Sequence, residues 1–225
     1  MGERGLTIAI DGVVGSGKTV TAQLVAAGLG YRHLDTGAMY RAVTLAAIRA
    51  GVAPEPGAEL TGLLAGLEIE LESQDRGGRV QLNGEDVTEA IRLPEISRRV
   101  GAYADLPLVR RDLVARQQRL GAGGGVVAEG RDIATVVFPG AELKVRMVAD
   151  LATRARRRHG ELAAKGLAVS LGEVAEDIRR RDDEDAARDY GAAGPPTDLV
   201  VLDTTDLTLE GQVERIIALA RERGA

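Results

Sequence analysis

Leu6 to Ile10 is a short run of apolar, β-favouring residues that ends where Gly12, Gly15 and Gly17 interrupt the chain. Apolar residues then return at helical spacing, Val20, Leu24, Val25 and Ala27, so the opening predicts strand, glycine loop and helix. Tyr31 to Asp35 predicts a second strand. Thr36-Gly37 leads from it into a helical stretch from Met39 to Arg49, which stops at Gly51, Pro54 and Pro56. Strand and helix alternating in this way predict a parallel sheet. The period then changes from 3.6 to 2: Leu67, Ile69 and Leu71 alternate with Glu68, Glu70 and Glu72, and Val80 and Leu82 with their polar neighbours. One polar face and turns at Gly77-Gly78 and Asn83-Gly84 predict a small antiparallel sheet. Residues 60–105 thus form an insert of hairpin strands followed by a helix around Pro94 to Tyr103. The flanking stretches, 1–59 and 106–225, make up the core. Beyond the insert come a helix from Pro107 to Leu120, a triple glycine at 123–125, and buried strands at Val126–Glu129 and Leu143–Val148. Two charged helices, Leu151 to Lys165 and Leu171 to Arg188, precede a last strand at Leu199–Leu202 and a closing amphipathic helix from Thr208 to Arg223.

Composition narrows the classes. The 225 residues are 44% hydrophobic and 28% charged, ordinary globular proportions for one large domain carrying an insert. No apolar run approaches the roughly 18 residues of a membrane span, so no membrane partner is expected. No basic-then-apolar leader precedes the first strand, and there is no cysteine, so a cleaved secretion signal and disulfides are not expected and the working location is the cytoplasm. A net charge of −5 argues against a surface that binds nucleic acid generally, and with no Trp and one Phe there is no stacking platform for single strands. Only three of the 29 basic residues are Lys, which draws attention to the one inside the glycine loop.

That loop, Gly12-Val13-Val14-Gly15-Ser16-Gly17-Lys18-Thr19, fits G-x-x-x-x-G-K-[ST] between a strand and a helix, a match that chance supplies roughly 0.004 times in a chain of this composition. Its glycines let successive N–H groups point inward at the positive end of the following helix, a cradle for the phosphates of ATP. Lys18 then bridges the β- and γ-phosphates, and Thr19 offers its hydroxyl to Mg²⁺. The fold class follows: α/β, a P-loop parallel sheet with helices on both faces. A guanine-reading Asn-Lys-x-Asp is absent, and the strand ends Glu129, Asp150 and Asp203 are not followed by the second acid usual in motor-type ATPases. Small-molecule kinases remain.

Strands of a parallel sheet deliver their C-terminal ends to one edge, and both Arg41 and Arg131 follow such ends. Two guanidinium forks converging there can hold a phosphate dianion that would otherwise repel ATP. Arg181, Asp185 and Arg188, at i, i+4 and i+7, form one polar stripe on a helix. Glu129, ending an apolar strand near the loop, is a candidate to orient Mg²⁺ waters. His33 and His159 have no metal-ligand partner at suitable spacing.

Asp35-Thr36-Gly37-Ala38-Met39-Tyr40-Arg41, Glu129-Gly130-Arg131-Asp132 and Arg180-Arg181-Asp182-Asp183-Glu184-Asp185 before Arg188 together resemble the bacterial cytidylate kinases. The likeness covers essentially the whole chain. It implies transfer of the γ-phosphoryl group of ATP to CMP or dCMP by a monomer, with the insert as the monophosphate-binding unit. It also implies contacts from Thr36 and Arg41, ribose and phosphate contacts from Arg181 and Asp185, a sugar contact from Asp132, a base or phosphate contact from Arg110 and a cytosine-edge contact from Arg188. A mobile lid over about 154–188 would begin with Arg154, Arg156, Arg157 and Arg158. Four arginines in five positions point all round a helix, so spacing does not choose among them; Arg157 and Arg158 are the two assigned to the phosphoryl group beside Lys18 and Arg131. Without cysteine the lid carries no zinc staple.

The chain departs from that family's pattern in three places. Val13-Val14 stands where Pro and a small residue are usual, and Tyr190-Gly191 replaces the usual Pro-Leu. Gly101 falls where the family typically has a serine facing cytosine, which predicts freer acceptance of UMP alongside CMP. Two alternatives stay open at this point: a kinase for another small acceptor such as UMP, AMP or shikimate, and a nucleotide-dependent regulatory ATPase.

Overall fold

The computed structural model describes residues 5–72, 78–164, 166–187 and 196–225. Five parallel strands form the central sheet: β1 (Thr7–Gly12), β2 (Arg32–Asp35), β6 (Val126–Gly130), β7 (Leu143–Val148) and β8 (Val200–Asp203), in the order β2-β6-β1-β7-β8. All six residues of β1 are buried, as a central parallel strand covered on both faces requires. Alternate side chains divide the core. Ala9, Leu34 and Ala128 face α2 (Thr36–Ala50) and α5 (Pro107–Gly121). Ile8, Ile10, Val127, Val145 and Met147 face α1 (Lys18–Leu29) and α8 (Leu209–Arg221). The register sets Asp11 beside Gly130 and Asp35 beside Glu129, which aligns the C-terminal ends of β1, β6 and β2 at one edge.

Helix α2 begins at Thr36, three residues earlier than its apolar spacing suggests, because the Asp35 carboxylate accepts the Ala38 N–H at 2.8 Å and starts the helix directly off the strand. It stops at Gly51, whose φ of 68° only glycine adopts without strain.

The insert contains the expected antiparallel sheet, β3 (Ile69–Glu72) with β4 (Arg79–Leu82), and adds a two-residue strand β5 (Glu85–Asp86). Asn83 and Gly84, at φ 51° and 79°, make the tight turn between β4 and β5. The Gly77 part of the other turn lies outside the described residues. Helix α3 (Ala58–Ala65), unexpected within a glycine- and proline-rich stretch, buries Leu60 and Leu64 one turn apart. With Leu82, Val87 and Ile91, and with Ile96 of α4 (Pro94–Ala104), these leucines join the apolar cluster of Val43, Val109 and Leu113, so the insert shares the core under α2 and α5. Polar clips hold its rim. Arg49 of α2 grips Glu85 with both Nη atoms at 2.7 and 2.9 Å, and Arg116 of α5 donates to the Leu67 and Leu64 carbonyls.

Helices α6 (Leu151–Ala164) and α7 (Leu171–Ala187) pack on each other around Ala155, Val174 and Ile178. Val14 of the glycine loop packs against this small cluster, so the residue that departs from the family pattern fastens the loop to the charged helices. Lys165, Arg188 and Tyr190-Gly191 lie outside the described residues. Among the described residues no helix is long and apolar enough to cross a membrane.

Candidate active site

The glycine loop leaves β1 under tight constraint. A Cβ on Gly12 would lie 2.5 Å from the Met147 carbonyl oxygen, and Gly15 and Gly17 take φ of 76° and 90°. Ser16 is fully buried and donates its hydroxyl to the Val13 carbonyl at 2.9 Å. Lys18 Nζ donates to the same carbonyl at 3.1 Å, so the ammonium lies folded across the loop's concavity. Burial, with the neighbouring Arg131 charge, lowers this ammonium to about 8.

Glu129 at the end of β6 is buried, and burial with the nearby Asp35 charge raises its carboxyl to about 7. Thr19 donates its hydroxyl toward it, while Oε1 has no hydrogen-bond partner. His33 Nε2 stands 3.9 Å from that oxygen. A hydroxyl beside an orphaned buried carboxylate oxygen is a hard donor pair suited to Mg²⁺. Among the described residues no three His, Cys, Asp or Glu side chains gather to hold a metal, so such an ion would complete its shell with water and phosphate oxygens.

The segment after β6 is held by a residue that motif reading passes over. Asp11, buried in β1, accepts the Ile133 N–H at 2.7 Å and the Ala134 N–H at 3.0 Å. These bonds start a π-helical turn, Ile133–Val137, and fix Arg131 and Asp132 relative to the glycine loop. The only sequence signal was an acid in an otherwise apolar strand. Gly130 is equally constrained, since a Cβ there would meet Thr36 Oγ1 at 2.6 Å. Thr36 itself donates to the Glu129 carbonyl at 2.8 Å, which ties the start of α2 to β6.

These elements enclose a cleft of about 280 Å³, near the lower bound of ligand-site sizes. It brings together Lys18, Thr19, Thr36, Arg41, Gly101, Arg110, Glu129, Arg131, Asp132, Arg181 and Asp185. Each arginine among them is held by a carboxylate: Arg41 by Asp35 at 3.2 Å, Arg110 by Asp132 in close contact, Arg131 by Asp185 at 2.6 Å, and Arg181 by Asp177 at 3.0 Å. Arg131 also reaches the Gly12 carbonyl at 3.4 Å. Replacing Arg131 with lysine is expected to lower kcat/KM almost as far as alanine does, because a point charge cannot replace a fork. Steady-state kinetics of both variants check this, and a lysine variant with full activity would reduce Arg131 to a source of general positive field.

The charged helices order their arginines differently from the expectation. Arg157 turns away from the cleft: its guanidinium donates to the Thr204 hydroxyl at 3.1 Å and to the Thr204 carbonyl at 2.5 Å, acceptors that follow β8. Arg158 pairs with Glu161 on the helix surface at 2.8 Å. Neither lines the cleft. Arg154 is the one buried against the glycine loop, donating to the Val14 carbonyl at 3.3 Å and pairing with Asp182 at 2.7 Å. Arg188 lies outside the described residues.

Known proteins resemble the chain over nearly its whole length. The family model for cytidylate kinase matches residues 8–222. A cytidylate kinase of Geobacter sulfurreducens is 46% identical over 222 residues, covering 99% of this chain and 95% of the relative. One from Geobacillus thermodenitrificans is 44% identical over 221 residues, covering 98% of this chain and 99% of its own. Among solved structures, an uncharacterized protein from Eubacterium ventriosum aligns over 96% of this chain and 98% of its own, with a TM-score of 0.50 at 12% identity, and shares the fold. On a match spanning nearly its whole length, the chain belongs to the cytidylate kinase family.

Proposed function

We propose that this protein transfers the γ-phosphoryl group of ATP to CMP, and to dCMP, giving ADP and CDP or dCDP. The observation that carries the reading is a phosphate loop whose lysine faces Arg41, Arg131 and Arg181 across one cleft. ATP phosphates would lie on the loop amides with Lys18 at the β- and γ-positions. The phosphate of CMP would take the guanidinium forks of Arg41 and Arg131. Its oxygen is already nucleophilic, so the site needs to align it in line with the γ-phosphorus and neutralise charge, and no protein base is required.

The carboxylates now paired with the arginines give this binding an exchange character. A phosphate dianion arriving at Arg131 competes with Asp185 and leaves that carboxylate to accept a ribose hydroxyl. In the same way Arg110 and Asp132 open together toward the nucleoside. Arg154, held by Asp182 at the rim of the loop, is the nearest lid cation to the triphosphate. Thr19 and Glu129 would hold Mg²⁺, which when bound withdraws charge from the β- and γ-phosphate oxygens. The reading also assigns residues 60–105 as the monophosphate-binding unit on the 1–59 and 106–225 core, a cytoplasmic location and a monomer.

A kinase of this design must exclude water until the acceptor arrives, or ATP is hydrolysed idly. CMP is therefore expected to increase amide protection across residues 60–105 at saturation. Hydrogen exchange read by mass spectrometry checks this, and unchanged protection with CMP bound would remove the insert from the acceptor site. A coupled ADP-release assay with CMP, dCMP, UMP, AMP and shikimate tests the reaction itself. ADP release that ignores every acceptor would favour the regulatory ATPase instead.

A further inference from the structure

The cleft has two chemically different parts. Around Lys18, Arg41, Arg131 and Arg181 it is cationic and suited to phosphates. The wall supplied by α4 carries no cation: Ser97, Val100, Gly101 and Ala104 line it, one helical face at spacings of three and four residues. Val100 and Ala104 offer small apolar contact, and Gly101 offers backbone alone, so a flat heterocycle can lie close against the helix. Of these four lining residues only Ser97 carries a hydroxyl, a single turn before Gly101 and about 6 Å along the axis. Among the described residues its side chain makes no hydrogen bond.

We infer that Ser97 reads the base edge and selects cytosine over uracil, in the place left vacant by the glycine at 101. The inference rests on the CMP kinase reading and deepens it. The Ser97 backbone N–H already bonds the Leu93 carbonyl at 3.2 Å. A helical serine can lay its hydroxyl proton on the same carbonyl one turn back, which leaves its oxygen facing outward as an acceptor. Cytosine presents an amino donor at position 4, whereas uracil presents a carbonyl acceptor there. An acceptor on the wall therefore bonds the first and opposes the second. Gly101 permits this because a side chain at 101 would hold the ring away from the turn that bears Ser97. On this inference the chain keeps a preference for CMP by means of a hydroxyl moved one turn, where Gly101 alone leads to the expectation of freer acceptance of UMP.

The test is the ratio of kcat/KM for CMP to that for UMP in the parent and three variants, with melting transitions recorded for each. Ser97→Ala is expected to lower the ratio about fivefold, the weight of one neutral hydrogen bond. Ser97→Thr keeps the hydroxyl and is expected to keep the ratio. Adding Gly101→Ser to Ser97→Ala is expected to restore much of it, since the acceptor returns to the same face. A ratio that is unchanged in Ser97→Ala, or that falls equally in Ser97→Thr, would overturn the role of Ser97 while leaving CMP phosphorylation intact. A parent that releases no ADP in response to CMP would instead overturn the reaction on which the inference stands.

Discussion

Replacing Lys18 with alanine is expected to lower CMP-dependent ADP release on the order of 10³-fold, the scale seen when a positioned charge or donor at a developing oxyanion is removed. The fold should survive. Among the described residues the Lys18 ammonium donates one hydrogen bond, to the Val13 carbonyl, and it is already disfavoured by desolvation and by the Arg131 charge. Removing a cation whose pKa is depressed takes away a cost that the folded state bears while the lysine is protonated, below about 8. At neutral pH the variant's melting transition should therefore equal or slightly exceed the parent's. Kinetics and calorimetry on the same preparation check both halves. Activity within about tenfold of the parent, with the transition in place, would contradict the bridging role of Lys18.

The second large effect falls on a residue outside every motif. Asp11→Ala leaves the Ile133 and Ala134 N–H groups without their acceptor in the interior, at about 1–3 kcal/mol each. Burial raises the Asp11 carboxyl pKa, so the charged form is costly and its removal offsets part of this loss. A net destabilisation of about 3 kcal/mol lowers Tm by roughly 10 °C in a chain of this size. Activity should fall as well, by about a hundredfold at the assay temperature, because Arg131 and Asp132 lose their register against the glycine loop. A variant that melts within about 2 °C of the parent would show that the π-helical turn stands without Asp11.

Legibility in the sequence followed the range of the interactions. The glycine loop could be read because its chemistry lies in consecutive residues and in the backbone. The parallel sheet and the Asn83-Gly84 hairpin could be read because period and turn chemistry are local. Asp11 could not, since its partners lie 122 and 123 positions away and nothing near it announces a π-helical turn. Arg157 was assigned to the phosphoryl group, but its direction depends on carbonyl and hydroxyl acceptors supplied by the segment after β8. Helix α3 was hidden because its two buried leucines become an apolar face only once α5 lies opposite them. That Ser97 and Gly101 line one wall could not be read from the sequence, since the likeness to the family points to position 101 alone and only the cleft brings the two together.

The central claim is that one cleft holds two nucleotides for direct phosphoryl transfer, and the most direct measurement is ADP release with ATP and Mg²⁺ in the presence and absence of CMP. The account predicts turnover that depends on CMP, yields CDP in equal amount to ADP, and is close to zero with shikimate or with no acceptor. ADP release that is the same with and without CMP, or that yields phosphate in place of CDP, would contradict it.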